Sequence, residues 1–112
     1  MVMDSATSQE QATLTVRRTA PDDVQMREIL VNLDGERVAA LKYGDTITLP
    51  LIPGHHTLKV DNTFNWKTIE LDLMPGEHQK FLTKSRAGRF SWFLILLLGA
   101  GPLYVSVERE SV

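Results

Sequence analysis

Residues 51–60 have the sequence LIPGHHTLKV, in which a Pro-Gly pair precedes a stretch of alternating side chains. Proline presets a φ angle of about −65°, and glycine accepts the positive φ angle that a type II turn requires beside it. A similar stretch, LMPGEHQK, occupies residues 73–80. Each stretch predicts a turn followed by a β-strand, and His56, Leu58 and Val60 are expected on one face of the first strand.

Period-two alternation continues on both sides of these stretches and predicts further half-buried strands, about seven in all. Residues 29–33 alternate and end at Asp34-Gly35, a dipeptide suited to a tight hairpin, so residues 36–41 are expected to fold back. The other alternating stretches are residues 13–17, 47–51, 69–73, 78–84 and 103–108. Because two sheets packed face to face bury such apolar rows, we expect an all-β fold, a small antiparallel β-sandwich over residues 12–85.

The composition narrows the class of protein further. A chain of 112 residues forms one small domain, and a net charge of −2 argues against a general nucleic-acid binder. The absence of cysteine excludes a disulfide scaffold and any cysteine-ligated metal site. Residues 1–11 predict a disordered tail without the basic start and apolar stretch of a secretory signal, so the default compartment is the cytoplasm.

The polar side chains predict no catalytic residue, metal or cofactor. His56 and His78 follow the two Pro-Gly turns, but a zinc site needs further ligands and only Asp72 or Glu77 is near. No serine sits in a glycine-framed elbow, and no glycine-rich loop resembles a phosphate-binding loop. We therefore expect a non-enzymatic protein. A metal-dependent enzyme that uses His56 and His78 is the third hypothesis, after the two binding functions described below.

The loop after residue 60 is a candidate ligand site. It contains two aromatic and two amide side chains, Asn62, Phe64, Asn65 and Trp66, which can stack on and hydrogen-bond a sugar or a peptide. The interpretation that we favour instead has Phe64 and Trp66 folding back over the end of the core.

The turn and strand pattern resembles that of the PEGA-type accessory domains of bacteria. The matching residues are Asp34-Gly35-Glu36-Arg37-Val38-Ala39, residues 51–60 and Leu73-Met74-Pro75-Gly76-Glu77, within the stretch from Thr13 to Lys84. The Pro-Glu-Gly-Ala tetrapeptide is absent, and Ala39 stands where glycine is usual. The resemblance implies an accessory or interaction module of immunoglobulin-like or transthyretin-like shape, and it implies no catalytic residues.

Residues 90–107 form an uncharged segment near the C-terminus. Its densest apolar part, which we expect to contact a membrane, consists of Trp92, Phe93, Leu94, Ile95, Leu96, Leu97 and Leu98. The preceding residues 79–89 carry four cations and no acid. By the positive-inside rule, Lys84, Arg86 and Arg89 are expected to flank the membrane on its cytoplasmic side. A polar tail is predicted over residues 108–112.

Three interpretations of this segment compete. As one helix, its 18 residues would reach about 27 Å, close to the ~30 Å of hydrocarbon in a bilayer. If the chain breaks at Gly99-Ala100-Gly101-Pro102, a short helix over residues 90–98 would lie on the membrane and residues 103–108 would return to the sheet as a strand. In the third, the segment completes a soluble core.

We favour a membrane role because a helix in this segment would have no polar face. The sequence thus predicts a non-enzymatic interaction module tethered to the cytoplasmic side of a membrane by residues 90–107. Membrane lipid is the expected partner, together with an unidentified protein and no nucleic acid. The alternative is a soluble cytoplasmic β-sandwich binding domain that forms a homodimer through the same residues.

Overall fold

The computed structural model describes residues 11–25, 27–63, 65–86 and 104–110, which form eight strands and no helix. The strands are β1 (Ala12–Arg17), β2 (Ile29–Leu33), β3 (Glu36–Leu41), β4 (Thr46–Leu51), β5 (Gly54–Asp61), β6 (Trp66–Leu73), β7 (His78–Arg86) and β8 (Tyr104–Glu110). They build two four-stranded sheets, with strand orders β4-β1-β7-β8 and β3-β2-β5-β6. The predicted all-β, sandwich-like class is confirmed.

The strand pairing departs from the prediction at one place. Five of the six pairings are antiparallel, but β1 and β7 are parallel, with Thr13 opposite His78 and Arg17 opposite Leu82. The expectation of a purely antiparallel sandwich was therefore wrong. A short turn forces its two strands to be antiparallel, whereas β1 and β7 are joined by a long crossover that imposes no such direction.

The predicted turns fix the hairpins. Asp34 and Gly35 have φ angles of 51° and 87°, so both central residues of the β2–β3 turn are left-handed, as a type I′ hairpin requires. Gly76 has a φ angle of 75°, and the Glu77 N–H donates to the Met74 carbonyl at 3.0 Å. This is the Pro-Gly type II turn predicted between β6 and β7.

The core lies between the two sheets and is built from the alternating apolar residues. Each inward row is buried while its neighbours on the same strand are half-buried or exposed, as a period of two dictates. The buried apolar residues are Ala12, Leu14, Val16, Ile29, Val31, Leu33, Leu41, Leu58, Val60, Leu71, Leu73, Phe81 and Val105.

The boundaries predicted near the C-terminus need correction. Tyr104–Glu110 is a strand paired with β7, so residues 104–107 belong to the sandwich and residues 108–110 are not a polar tail. Val105 is buried and Val107 packs against the core. Residues 104–107 therefore follow the alternating pattern of a strand, although they share the apolar, uncharged character of the residues before them. Residues 90–103 of the segment predicted over 90–107 and residues 1–10 of the tail predicted over 1–11 lie outside the described residues.

The strand registers give the sandwich two distinct ends. The proximal end carries the β3–β4 and β5–β6 connections, the last residue of β7 and the first residue of β8. The distal end carries the β2–β3, β4–β5 and β6–β7 turns. Within the described ranges, no helix is long and apolar enough to cross a membrane.

Candidate functional site

The two attachment points of residues 87–103 are adjacent. Arg86 is the last residue of β7, Tyr104 is the first residue of β8, and the two are register partners in an antiparallel pair. Opposed Cα atoms in such a pair lie only about 4.5–5.5 Å apart. The two points at which residues 87–103 join the described strands therefore lie side by side at the proximal end.

The basic residues predicted to flank a membrane lie at this point. The Lys84 ammonium is 2.5 Å from a carboxylate oxygen of Asp22, and this ion pair lowers the pKa of Asp22. Arg86 is exposed at the end of β7. Arg89 and the seven predicted membrane-contacting residues, 92–98, lie outside the described residues. Strand β7 thus places two of the three predicted cations, Lys84 and Arg86, next to the point where residues 87–103 begin.

The candidate ligand loop uses its amide groups within the fold. Asn62 is fully buried, and its Oδ1 accepts a hydrogen bond from the Asn65 N–H at 2.9 Å. The Oδ1 of Asn65 in turn accepts a hydrogen bond from the Val105 N–H at 3.1 Å. This bond links the β5–β6 turn to the second residue of β8. Both side-chain oxygens thus accept hydrogen bonds from backbone N–H groups, so these asparagines connect the β5–β6 turn to β8 at the proximal end.

Trp66 does not fold back over the core as we expected. Its side chain is 58% exposed, and the Lys59 ammonium lies 5.4 Å from the centroid of its ring. Because Trp66 opens edge strand β6 directly opposite Asp61, its indole stands on the outer face of the sheet. Phe64, the other aromatic residue of the predicted loop, lies outside the described residues.

A buried ion pair that the sequence analysis did not identify fastens the proximal end. The side chain of Arg18 is 1% exposed and that of Asp23 is fully buried. The guanidinium donates to both Asp23 oxygens, at 2.8 and 3.1 Å, and to the carbonyls of Arg27 and Leu41, at 2.6 and 2.7 Å. The Val24 N–H donates to the Ser85 carbonyl at 3.1 Å, so the loop after β1 is anchored against β7.

The three histidines have separate partners. His56 lies in the second sheet, where both ring nitrogens face acceptors: a carboxylate oxygen of Asp34 at 2.6 Å and the Ile52 carbonyl at 2.6 Å. These contacts raise the pKa of His56, with the Asp34 carboxylate as the larger cause. His78 lies in the first sheet and contacts the Thr15 hydroxyl at 2.8 Å. His56 and His78 are thus not brought together as metal ligands.

His55 occupies the outer face of β5. One ring nitrogen lies 3.0 Å from an oxygen of Asp72 and the other lies 2.7 Å from an oxygen of Glu70, on the neighbouring strand β6. Both contacts raise the pKa of His55, that with Asp72 more. Within the described residues, no group of three or more His, Asp or Glu side chains is arranged to hold a metal ion.

The two ends of the described sandwich differ in charge. Two ion pairs, Arg18–Asp23 and Arg17–Glu110, are neutral, and Lys59 and Arg37 belong to neither end because both lie opposite Asn32. The remaining proximal cations are Arg27, Lys42, Lys67, Lys84 and Arg86, and the proximal carboxylates are Asp22, Glu28, Asp45 and Asp61. The remaining distal cations are Lys80 and Arg109, and the distal carboxylates are Asp34, Glu36, Glu70, Asp72, Glu77 and Glu108. The proximal end therefore has a surplus of one positive charge and the distal end a surplus of four negative charges.

No protein-family model and no curated protein sequence matches this chain. The candidate site is accordingly defined by geometry: it is the positively charged end of a β-sandwich at which both ends of an apolar segment join the described strands.

Proposed function

We propose that this protein is a non-enzymatic interaction module held on one face of a membrane by residues 87–103. The observation that carries the proposal is the register of Arg86 with Tyr104, which places both ends of that segment at one end of the sandwich. Between them, residues 90–103 contain no charged residue. An uncharged segment whose two ends lie at the same end of the domain is suited to entering a bilayer and leaving it by the same face.

The length of the segment supports this form of attachment over a single span. A membrane-spanning helix separates its ends by about 30 Å, which strand partners cannot accommodate. If the 17 residues are divided between an inward and an outward arm, each arm reaches about 12 Å as helix or about 26 Å as strand. Both lengths fall short of the ~30 Å hydrocarbon thickness, so the segment would remain in the near part of the bilayer.

The apolar content of the segment is sufficient for attachment. Seven large apolar side chains follow one another at residues 92–98, and full burial of one such side chain is worth about 1.5–3 kcal/mol. Burial of half of this surface would contribute about 5–10 kcal/mol. At about 0.8 kcal/mol per buried CH₂, a single myristoyl chain contributes a similar amount and binds reversibly, so the apolar run accounts for reversible attachment that a second signal must strengthen. The basic residues Lys84, Arg86 and Arg89 support attachment at the cytoplasmic face, where anionic lipids concentrate.

The role as an interaction module comes from the PEGA-like turn and strand pattern. Of the two shapes that this resemblance implies, we propose the transthyretin-like one. An immunoglobulin constant domain groups its first, second, fifth and fourth strands in one sheet. In this protein β1 pairs directly with β4 while β2 and β5 lie in the other sheet, which supports the alternative.

The proposal is tested by flotation of the full chain with phosphatidylcholine vesicles. In the comparison variant an Asn-Gly dipeptide replaces residues 88–102; the adjacency of Arg86 and Tyr104 allows a two-residue turn to join the strands. We expect the full chain to float and the variant to remain in the dense fraction with an unchanged β-sheet circular dichroism spectrum.

A second variant keeps the length of the segment. Leu94→Asp and Leu96→Asp introduce two carboxylates into the apolar run and are expected to abolish flotation, because ionised groups are costly in hydrocarbon. Flotation of either variant would overturn the proposal. A full chain that stays in the dense fraction as a dimer, and becomes monomeric when residues 88–102 are replaced, would establish the soluble dimer instead.

A further inference from the structure

We propose that the proximal end of the sandwich is itself a lipid-contacting rim that binds the headgroups of an anionic membrane surface. This inference rests on the membrane attachment proposed above and adds to it a contact surface made by side chains of the folded domain. The rim consists of Tyr43, Trp66 and Tyr104 together with the neighbouring cations Lys67 and Arg86.

The exposed aromatic side chains gather at the proximal end. The described residues include four aromatic ones, of which Phe81 is buried in the core. The other three, Tyr43, Trp66 and Tyr104, are 42%, 58% and 48% exposed. Trp and Tyr have an apolar ring and a polar group, and they are enriched where a membrane meets water. Their exposure therefore has an explanation if this end lies at the headgroup level.

These aromatic residues are spread across the width of the sandwich. Tyr43 follows β3 in the β3–β4 connection, where edge strands of the two sheets meet. Trp66 and Tyr104 open β6 and β8, the edge strands on the opposite side. A planar surface can therefore touch all three side chains at once, which a compact ligand held at one edge cannot do.

Positive charge accompanies the aromatic side chains. Lys67 and Arg86 are exposed next to Trp66 and Tyr104, and the Lys59 ammonium lies over the Trp66 ring. Each Lys or Arg near an anionic surface strengthens binding by about fivefold at physiological salt. Because the proximal end has a surplus of positive charge and the distal end a surplus of negative charge, an anionic surface attracts the first and repels the second.

Distance weakens the effect of the acidic end on this interaction. Strand β5 alone has eight residues, or about 26 Å, between its distal and proximal ends. The screening length at physiological salt is about 8 Å. With the proximal end at the membrane, Asp72 lies about 20 Å away, because it is opposite His55, six residues from the proximal end of β5. Glu36 and Glu70 are level with Leu58 and Thr57 and lie about 10–13 Å away. Screening therefore weakens the repulsion of the distal carboxylates by the membrane, most for those beyond Thr57.

The test measures the affinity of the full chain for phosphatidylcholine vesicles with and without phosphatidylglycerol. The rim variant Lys67→Gln/Arg86→Gln removes two proximal cations, and we expect about 25-fold weaker binding to the anionic vesicles with no change for the neutral ones. The matched control Lys80→Gln/Arg109→Gln makes the same change in charge toward the distal end, about 16–20 Å along β7 from Arg86. We expect its affinity to stay within about twofold of the wild type because the distal charges are screened.

Tryptophan emission provides a readout of contact. Trp92→Phe leaves Trp66 as the only tryptophan of the chain. Its emission is expected to shift to shorter wavelength on vesicle binding and to be quenched most by brominated lipid with bromine near the headgroup. In this background, Met74→Ala at the distal end, where Met74 is 70% exposed, is expected to leave the shift unchanged.

The outcomes separate this inference from the membrane attachment on which it rests. Vesicle binding with equal affinities for the rim variant and its control, or with unmoved Trp66 emission, overturns the rim and leaves the attachment intact. Binding to anionic vesicles alone supports the rim and overturns residues 87–103 as the anchor. Binding to neither vesicle overturns both. A Trp66 shift that follows protein concentration without lipid overturns the rim in favour of a second copy of the chain.

Discussion

The buried pair of Arg18 and Asp23 allows a quantitative prediction about the proximal end. Asp23→Asn keeps the shape of the side chain but removes the counter-ion of a guanidinium that is 1% exposed. It also weakens two charge-assisted hydrogen bonds, at 2.8 and 3.1 Å. Removal of one partner of a buried pair costs about 3–5 kcal/mol, because the other charge is left uncompensated. Domains of this kind are stable by about 5–15 kcal/mol, so the loss is a large share of the total.

The assay is urea unfolding followed by circular dichroism, in the variant with Asn-Gly in place of residues 88–102, which we expect to remain in solution without lipid. The control is Asp22→Asn, which neutralises the adjacent, exposed carboxylate that pairs with Lys84. We expect this control to lose far less free energy of unfolding than Asp23→Asn, as is usual for an exposed ion pair. Equal losses for the two variants would refute the assignment of Arg18–Asp23 as the fastening of this end.

A double variant separates the energy of the ion pair from that of the hydrogen bonds which Arg18 and Asp23 make to backbone groups. Apolar replacement of both partners of a buried ion pair is often neutral or stabilising. Here Arg18→Met/Asp23→Leu also removes the partners of the Arg27 and Leu41 carbonyls and of the Gln25 N–H. Each backbone group left buried without a partner costs about 1–3 kcal/mol. We therefore expect the double variant to remain destabilised, and wild-type stability would contradict that role.

Three smaller predictions concern the turns and a histidine, each measured by urea unfolding in the same background. His56 has a raised pKa, so its stabilisation is complete below about pH 6.5 and is lost as the pH rises through the higher folded value; with Asp34 half exposed, this share is less than about 1 kcal/mol. Because His55 also has a raised pKa, His56→Gln should reduce the pH dependence and His55→Gln/His56→Gln should remove it, whereas an unchanged dependence in His56→Gln would contradict the assignment. Gly35→Ala should cost about 1–2 kcal/mol from its φ of 87° alone, since a Cβ atom there has nothing within 4 Å; an unchanged midpoint would contradict this. Asn65→Ala should cost about 1–3 kcal/mol by leaving the Val105 N–H unpaired, whereas Asn65→Asp, which keeps an acceptor, should cost less; equal losses would contradict the bridge.

The parts of the fold that follow from local chemistry were predictable. Asp34-Gly35 and Pro75-Gly76 have the backbone angles that their residue types favour, and period-two alternation marked the strands between them. The last strand was indicated by the alternation of Val105 and Val107, but only as one alternative, since the favoured interpretation placed both residues in the apolar segment. These signals depend only on neighbouring residues, which is why the sequence alone carries them.

The features that were missed depend on contacts between distant residues. The parallel pairing of β1 with β7 joins Thr13 to His78, and no turn between them specifies its direction. Arg18 looks like a polar residue after a strand, and its burial arises only because Asp23 and two carbonyls from other elements surround it. The exposure of Trp66 likewise reflects its place on an edge strand, which alternation does not reveal.

The central claim is that both ends of residues 87–103 lie on the same side of a membrane, and cysteine labelling tests it directly. The chain has no cysteine, so Glu36→Cys and Glu108→Cys each introduce a single exposed thiol, on β3 and β8. The proteins are bound to sealed vesicles and treated with a maleimide that does not cross lipid. We predict full labelling from outside at both positions. Labelling of Glu36→Cys with protection of Glu108→Cys until the vesicles are lysed would place the chain across the bilayer and contradict the account.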